Sequence, residues 1–152
     1  MTMKQHEIVE DLNRLMAEEA EACLRYFQMR FRVRGKGRHA AEALFEDALK
    51  ETLEHADAIA RQIHALVHVP TLRVHLTFGG RPMRAEEALA EALDVEQQAL
   101  DAYKELLPRV IGDTALEAFV RRQIDIETEH VQEIRETARS GTPLKLVAKP
   151  DR

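Results

Sequence analysis

Four stretches of this 152-residue sequence, read as helices, carry apolar stripes interrupted by residues able to hold a metal ion. In RQIDIETEHVQEI, Gln123, Glu127, His130 and Ile134 fall in line, so a carboxylate and an imidazole three residues apart share the inward face. In ALKETLEHADAIARQI the corresponding line is Ala48, Thr52, His55 and Ile59. Thr52 stands where a second carboxylate would be expected, and a neutral hydroxyl supplies neither the charge nor the second oxygen of one. Glu51, four residues before His55, departs from that face by only about 40°. It is therefore expected to swing in and supply the missing ligand. The step from Leu15 to Cys23 passes through Glu19, with Tyr26 seven residues further on, and the step from Leu93 to Leu100 passes through Glu96.

The heights of these residues match as well. Glu19 lies sixteen residues before Gly35 and His55 eighteen after Gly37; Glu96 lies sixteen before Gly112 and His130 eighteen after it. If each pair of helices forms an antiparallel hairpin, residues equally far from the turn share a level. Both hairpins then bring their candidate ligands to one layer at mid-bundle. Several carboxylates buried together would be strongly unfavourable, or would be forced to protonate, unless cations neutralise them. Oxygen donors with one imidazole per ion suit iron or manganese better than structural zinc, which favours thiolates and tight tetrahedra.

The elements that must position this layer are long helices. Charged residues make up 32%, Ala, Glu, Leu and Arg dominate, and there are 6 Gly, 5 Pro and no Trp, which is a helical composition. Three-four apolar spacing predicts helices from about His6 to Val33, His39 to Val67, Ala85 to Leu107, and from the Asp113-Thr114 cap to just before Gly141. Pro108 is expected to break or kink the third, and Thr114 with Glu117 has capping-box spacing. The segment HVPTLRVHLTFGGRPMR between the second and third helices is too long for a turn. Extended, it reaches roughly 55 Å, enough to run beside a helix about 40 Å long. The second and third helices are then parallel, giving an all-α four-helix bundle over residues 1-141 with one long crossover, and a tail, TPLKLVAKPDR, over 142-152.

The net charge of -5 and the absence of a basic block argue against nucleic acid as a partner, while suiting a protein that attracts cations. No apolar run approaches a membrane span, the single Cys23 forms no internal disulfide, and MTMKQHEIVEDL lacks the apolar core of a signal peptide. A soluble, cytoplasmic protein is expected.

The stretches LNRLMAEEAEACLRYFQMR, LEHADAIARQI, LDVEQQALDAYKEL and DIETEHVQEI together resemble bacterioferritin, within the ferritin-like di-iron proteins, over about residues 8 to 138. The resemblance implies that Glu19, His55, Glu96, Glu127 and His130 are metal ligands. Glu19 and Glu96 would be terminal, while Glu127 and the second-helix Glu would bridge. It gives Tyr26, beside the site, a catalytic part. It implies oxidation of Fe(II) by oxygen or peroxide at a di-iron centre, and ferric storage in a 24-subunit shell. This sequence departs from the pattern at Thr52, where the family has Glu. It departs at Leu53, where bacterioferritin has the haem-binding methionine, so haem is not expected. It also has no clear fifth helix. A smaller homo-oligomer, a non-storing di-iron or iron/manganese oxidase or peroxidase, and a helical scaffold with a degenerate site are the other readings.

Remaining polar residues are expected to be structural. Glu18, Glu21 and Glu54 read as solvated surface, and His64, His68 and His75 as loop hydrogen-bonding groups rather than a second metal site. His6 and His39 read as exposed, Cys23 as a small core residue, and the glycines of TFGGRP as a turn.

Overall fold

The computed structural model describes residues 3-140, which form four helices: α1 (Met3–Arg32), α2 (Arg38–Ala65), α3 (Ala85–Val110) and α4 (Thr114–Ser140). The tail 142-152, and the expected boundary before it, lie outside the described residues. Turn chemistry sets the hairpins. Gly35, Gly37 and Gly112 have positive φ (80°, 83° and 95°), a region glycine enters without steric cost. Asp113 caps α4 by accepting from the Leu116 N–H at 3.1 Å, and Glu117 reaches back to the Gly112 N–H at 3.3 Å. The third helix differs from expectation, because it continues through Pro108 to Val110. A proline this close to a helix end removes only one backbone hydrogen bond, and the continued turn buries Leu106 and Val110 in the core.

The end of α2 is less comfortable. The Val67 N–H bonds to the His64 carbonyl at 2.9 Å and the His68 N–H to the Ile63 carbonyl at 3.2 Å, closing the helix with Val67 at φ 64°. That left-handed position is normally filled by glycine.

From there the crossover runs beside α1. The Thr71 N–H donates to Asn13 Oδ1 at 2.8 Å, Arg32 Nε donates to the Arg81 carbonyl at 2.9 Å, and Val33 pairs with Met83 in a parallel bridge. The chain has thus returned to the end of the bundle where α2 began, and α3 runs parallel to α2.

The core has two apolar parts. One, around Leu12, Leu15, Ile59, Ile63, Leu106, Phe119 and Val120, fills the end holding the start of α1. The other, around Tyr26, Met29, Val33, Phe45, Ala88 and Leu89, fills the opposite end. Large side chains such as Leu12, Phe45 and Ile59 are fully buried, each contributing about 1.5–3 kcal/mol of transfer free energy. Between the two parts lies a buried polar layer.

Candidate metal centre

Every helix contributes to that layer: Glu19 from α1, Thr52 and His55 from α2, Glu96 from α3, and Gln123 and Glu127 from α4, all buried. Glu127, 1% exposed, stands in the middle. Its Oε1 lies 3.0 Å from His55 Nδ1, and its Oε2 lies 3.6 Å from His130 Nδ1. One carboxylate therefore faces two imidazoles through different oxygens. Glu19 Oε1 is 3.7 Å from His55 Nδ1, and Glu96 Oε2 is 3.2 Å from His130 Nδ1. Two groups of potential ligands result, Glu19, His55 and Glu127 on one side and Glu96, Glu127 and His130 on the other. The two imidazole rings are stacked with centroids 5.9 Å apart.

The substituted position on α2 is resolved in detail. Thr52 turns its hydroxyl back onto its own helix, donating to the Ala48 carbonyl at 2.7 Å and approaching the Leu49 carbonyl at 3.2 Å. Glu51, partly exposed, places Oε2 at 3.0 Å from His130 Nε2, the nitrogen opposite the one facing Glu96 and Glu127. Glu51 thus reaches the layer, where it meets the imidazole of His130 on α4.

Two tyrosines hold the outer carboxylates. Tyr26 donates a short hydrogen bond to Glu96 Oε1 and stacks on Phe45, with centroids 5.9 Å apart. Tyr103 donates to Glu19 Oε1 at 2.7 Å and accepts from Gln123 Nε2 at 3.3 Å. The sequence singled out Tyr26 and not Tyr103. Its signal was position, seven residues after Glu96 as Tyr26 is seven after Glu19.

The charges are strongly coupled. Burial pulls the His55 pKa down, but contacts with Glu127 and then Glu19 outweigh it and push it up to about 10. His130 behaves alike: burial opposes, while Glu127, Glu51 and Glu96 carry it to about 12. Burial raises Glu96 to about 7, with His130 opposing. For Glu127 burial acts upward, yet His130 and His55 draw it down to about 2. Burial, with Glu96 for Tyr26 and Glu19 for Tyr103, keeps both phenols well above their usual pKa and so protonated. Protons on the imidazoles thus balance the layer where cations otherwise could.

This donor set fits metal ions. His55 Nδ1 and Glu127 Oε2 are buried without a well-formed hydrogen bond among the described residues, and an ion on each side of Glu127 would satisfy them in turn. Oxygen donors with one nitrogen per group match iron or manganese. Other candidates sit elsewhere. Among the described residues His64, His68 and His75 belong to no group within ligating reach, and Glu54 is exposed. Cys23 is half-buried, its S–H pointing to the Leu49 carbonyl at 3.6 Å.

The profile of the ferritin-like domain matches residues 9–141, most of the chain. The chain belongs to the ferritin-like family. Among solved structures, this ferritin-like chain is similar to a ferritin-like, diiron-carboxylate protein from Bacillus anthracis, at 23% identity and TM-score 0.79, covering 91% of this chain and 99% of that one. It is also similar to a Dps protein from Bacillus brevis, at 15% identity and TM-score 0.81, with coverage of 90% and 97%. The bacterioferritin of Desulfovibrio desulfuricans gives 18% identity and TM-score 0.75, with coverage of 98% and 96%. At these identities the likeness is one of fold. No curated protein matches the sequence. The ferritin-like fold accounts for the parallel α2 and α3 and for a polar layer supplied by all four helices.

Proposed function

We propose that this ferritin-like chain binds two iron ions at the mid-bundle layer and oxidises Fe(II), in iron storage or detoxification. The observation that carries this reading is Glu127, whose two oxygens face His55 and His130 separately, as a carboxylate bridging two ions must. Glu19 and His55 would hold one ion, Glu96 and His130 the other. Glu51 would join the His130 side, leaving the Glu19/His55 side with fewer protein donors. Bound Fe(II) supplies the electrons: two ions give up two, which reduce one peroxide and two protons to two waters, or one oxygen and two protons to peroxide. The chain's own part is positional. Tyr26 and Tyr103 fix the rotamers of Glu96 and Glu19 with hydrogen bonds, Gln123 fixes the Tyr103 hydroxyl, and the flanking apolar core keeps bulk water from the layer. Manganese in one position fits the same donors.

A homo-oligomer is part of the proposal, supported by the exposed Leu24, Phe27 and Phe31 along α1. Among the described residues no helix is long and apolar enough to cross a membrane. Leu53, exposed on α2, carries no sulfur for a haem iron, so haem forms no part of the reading.

Thr52 favours a second reading, in which the centre is incomplete and the chain acts as a helical scaffold. Anaerobic titration with Fe(II) or Co(II), with metal analysis of the purified protein, separates the two. The ferroxidase reading expects two ions per chain, loss of one in Glu51→Ala, and tighter binding of the weaker ion in Thr52→Glu. Zero ions in the wild type would leave the scaffold, and two ions with unchanged oxidation in Glu51→Ala would remove Glu51 from the ligand set.

A further inference from the structure

A buried centre needs a path for its ions, and the surface holds a cavity that meets it. Between α1 and α3 a cavity of about 80 Å³ has Glu18, Glu19, Glu21, Ala22, Gln98 and Ala99 in its lining. Glu18 and Gln98 are exposed at its rim and Glu21 is half-exposed. Glu19, only 2% exposed, belongs both to this cavity and to the metal layer. Its contacts with Tyr103 and His55 both use Oε1, and its other oxygen, Oε2, makes neither. The small side chains of Ala22 and Ala99 leave the space between the two helices unfilled. The one cation in the lining, Arg25, has its guanidinium 5.9 Å from the ring centroid of Phe78 on the crossover.

We infer that this α1-α3 cavity is the route by which hydrated divalent cations reach the centre, with Glu18 and Glu21 as the residues that capture and partly dehydrate them. The inference rests on the two-metal reading above. The cavity has room for only a few water-sized groups, and beyond it Glu19 is 2% exposed, so an ion that keeps its full shell of waters does not reach the layer. An arriving ion must shed part of its shell, and carboxylate oxygens at the rim replace what it loses. Glu19 then takes it from the inner side. Charge at the rim acts on the rate of arrival, whereas the ligands of the layer set the final affinity.

The test is stopped-flow binding of Co(II), followed by its visible absorbance in the full-length protein. Glu18→Gln/Glu21→Gln is compared with Glu46→Gln/Glu54→Gln, which makes the same change of net charge on α2. The inference expects the rim variant to load at least five-fold more slowly at low salt, with a weaker dependence on ionic strength. Its final stoichiometry should equal that of the wild type, and the α2 variant should load at the wild-type rate. Ala99→Phe, which fills the cavity without altering charge, should also slow loading. Wild-type rates in the rim variant and in Ala99→Phe would overturn the route, as would equal slowing in the α2 variant. Absence of Co(II) binding to the wild type would overturn the two-metal reading itself, a result distinguishable from either.

Discussion

Replacing Tyr103 by Phe removes one oxygen atom from the centre of the bundle and leaves the ring in place. Tyr103 is fully buried, so the ring keeps its apolar contacts and only a hydroxyl-sized void opens. What is lost is the 2.7 Å hydrogen bond to the buried Glu19 carboxylate and the acceptor for Gln123 Nε2. A hydrogen bond to a charged group contributes about 1.5–3 kcal/mol, and a stranded buried donor costs about 1 kcal/mol or more. The metal-free variant is therefore expected to be less stable by about 3 kcal/mol. At about 2–4 °C per kcal/mol for a chain of this size, its Tm should fall by roughly 6–12 °C. Thermal unfolding followed by circular dichroism in the presence of a chelator measures this directly. Repeating it with saturating Co(II) adds a second reading, because a cation beside Glu19 takes over much of the stabilisation that the phenol gave, and the gap to wild type should narrow. A metal-free variant melting within about 1 °C of wild type would refute the Gln123-Tyr103-Glu19 chain as an energetic unit. A gap unchanged by Co(II) would refute the placement of a cation against Glu19.

Val67→Gly should stabilise the protein by about 0.5–1 kcal/mol in chemical denaturation, since relief of a left-handed valine outweighs the added freedom of glycine in the unfolded chain. Stability of the metal-free protein should fall between pH 6.5 and 9. His55 and His130, raised to about 10 and 12, hold protons in the folded chain that the unfolded chain has released above pH 6.5, and this stabilisation is lost as pH rises through the folded values. The lowered Glu127 acts oppositely but only below its ordinary range, so urea midpoints at pH 6.5 and 9 in chelator check the sign. Arg109→Met should cost about 1–2 kcal/mol, because Arg109 contacts Glu7 and the buried carboxylate of Asp11. The added change Asp11→Asn should recover part of that loss in a double-mutant cycle.

The polar layer was legible because two regularities coincide. An apolar stripe interrupted at Glu19, Glu96 and Glu127 marks inward carboxylates, and equal distance from the glycine turns places them at one height. The crossover was legible from length alone. What sequence could not give was pairing across helices. That Tyr26 serves Glu96 and Tyr103 serves Glu19 depends on which helices are neighbours and on side-chain reach, and neither has a local signature. Glu51 shows the same limit: its position on the flank of α2 follows from helical angle, but its contact with His130 of α4 depends on packing between the hairpins. Pro108 misled because a local rule about proline is outweighed near a helix end by burial of Val110.

The crossed hydrogen bonds of the two tyrosines bear on the history of the chain. Glu96 and Tyr103 follow Glu19 and Tyr26 at a common offset of 77 residues (96 − 19 and 103 − 26), and Glu127 and His130 follow Thr52 and His55 at 75 (127 − 52 and 130 − 55). That is the trace expected of a tandem duplication of one helical hairpin. Each tyrosine donates to the carboxylate of the other copy, so neither half can lose its phenol without unsettling its twin. Thr52, whose hydroxyl donates to a carbonyl of its own helix, takes no part in that exchange between phenols and carboxylates. It is also where the two copies have diverged in their ligands.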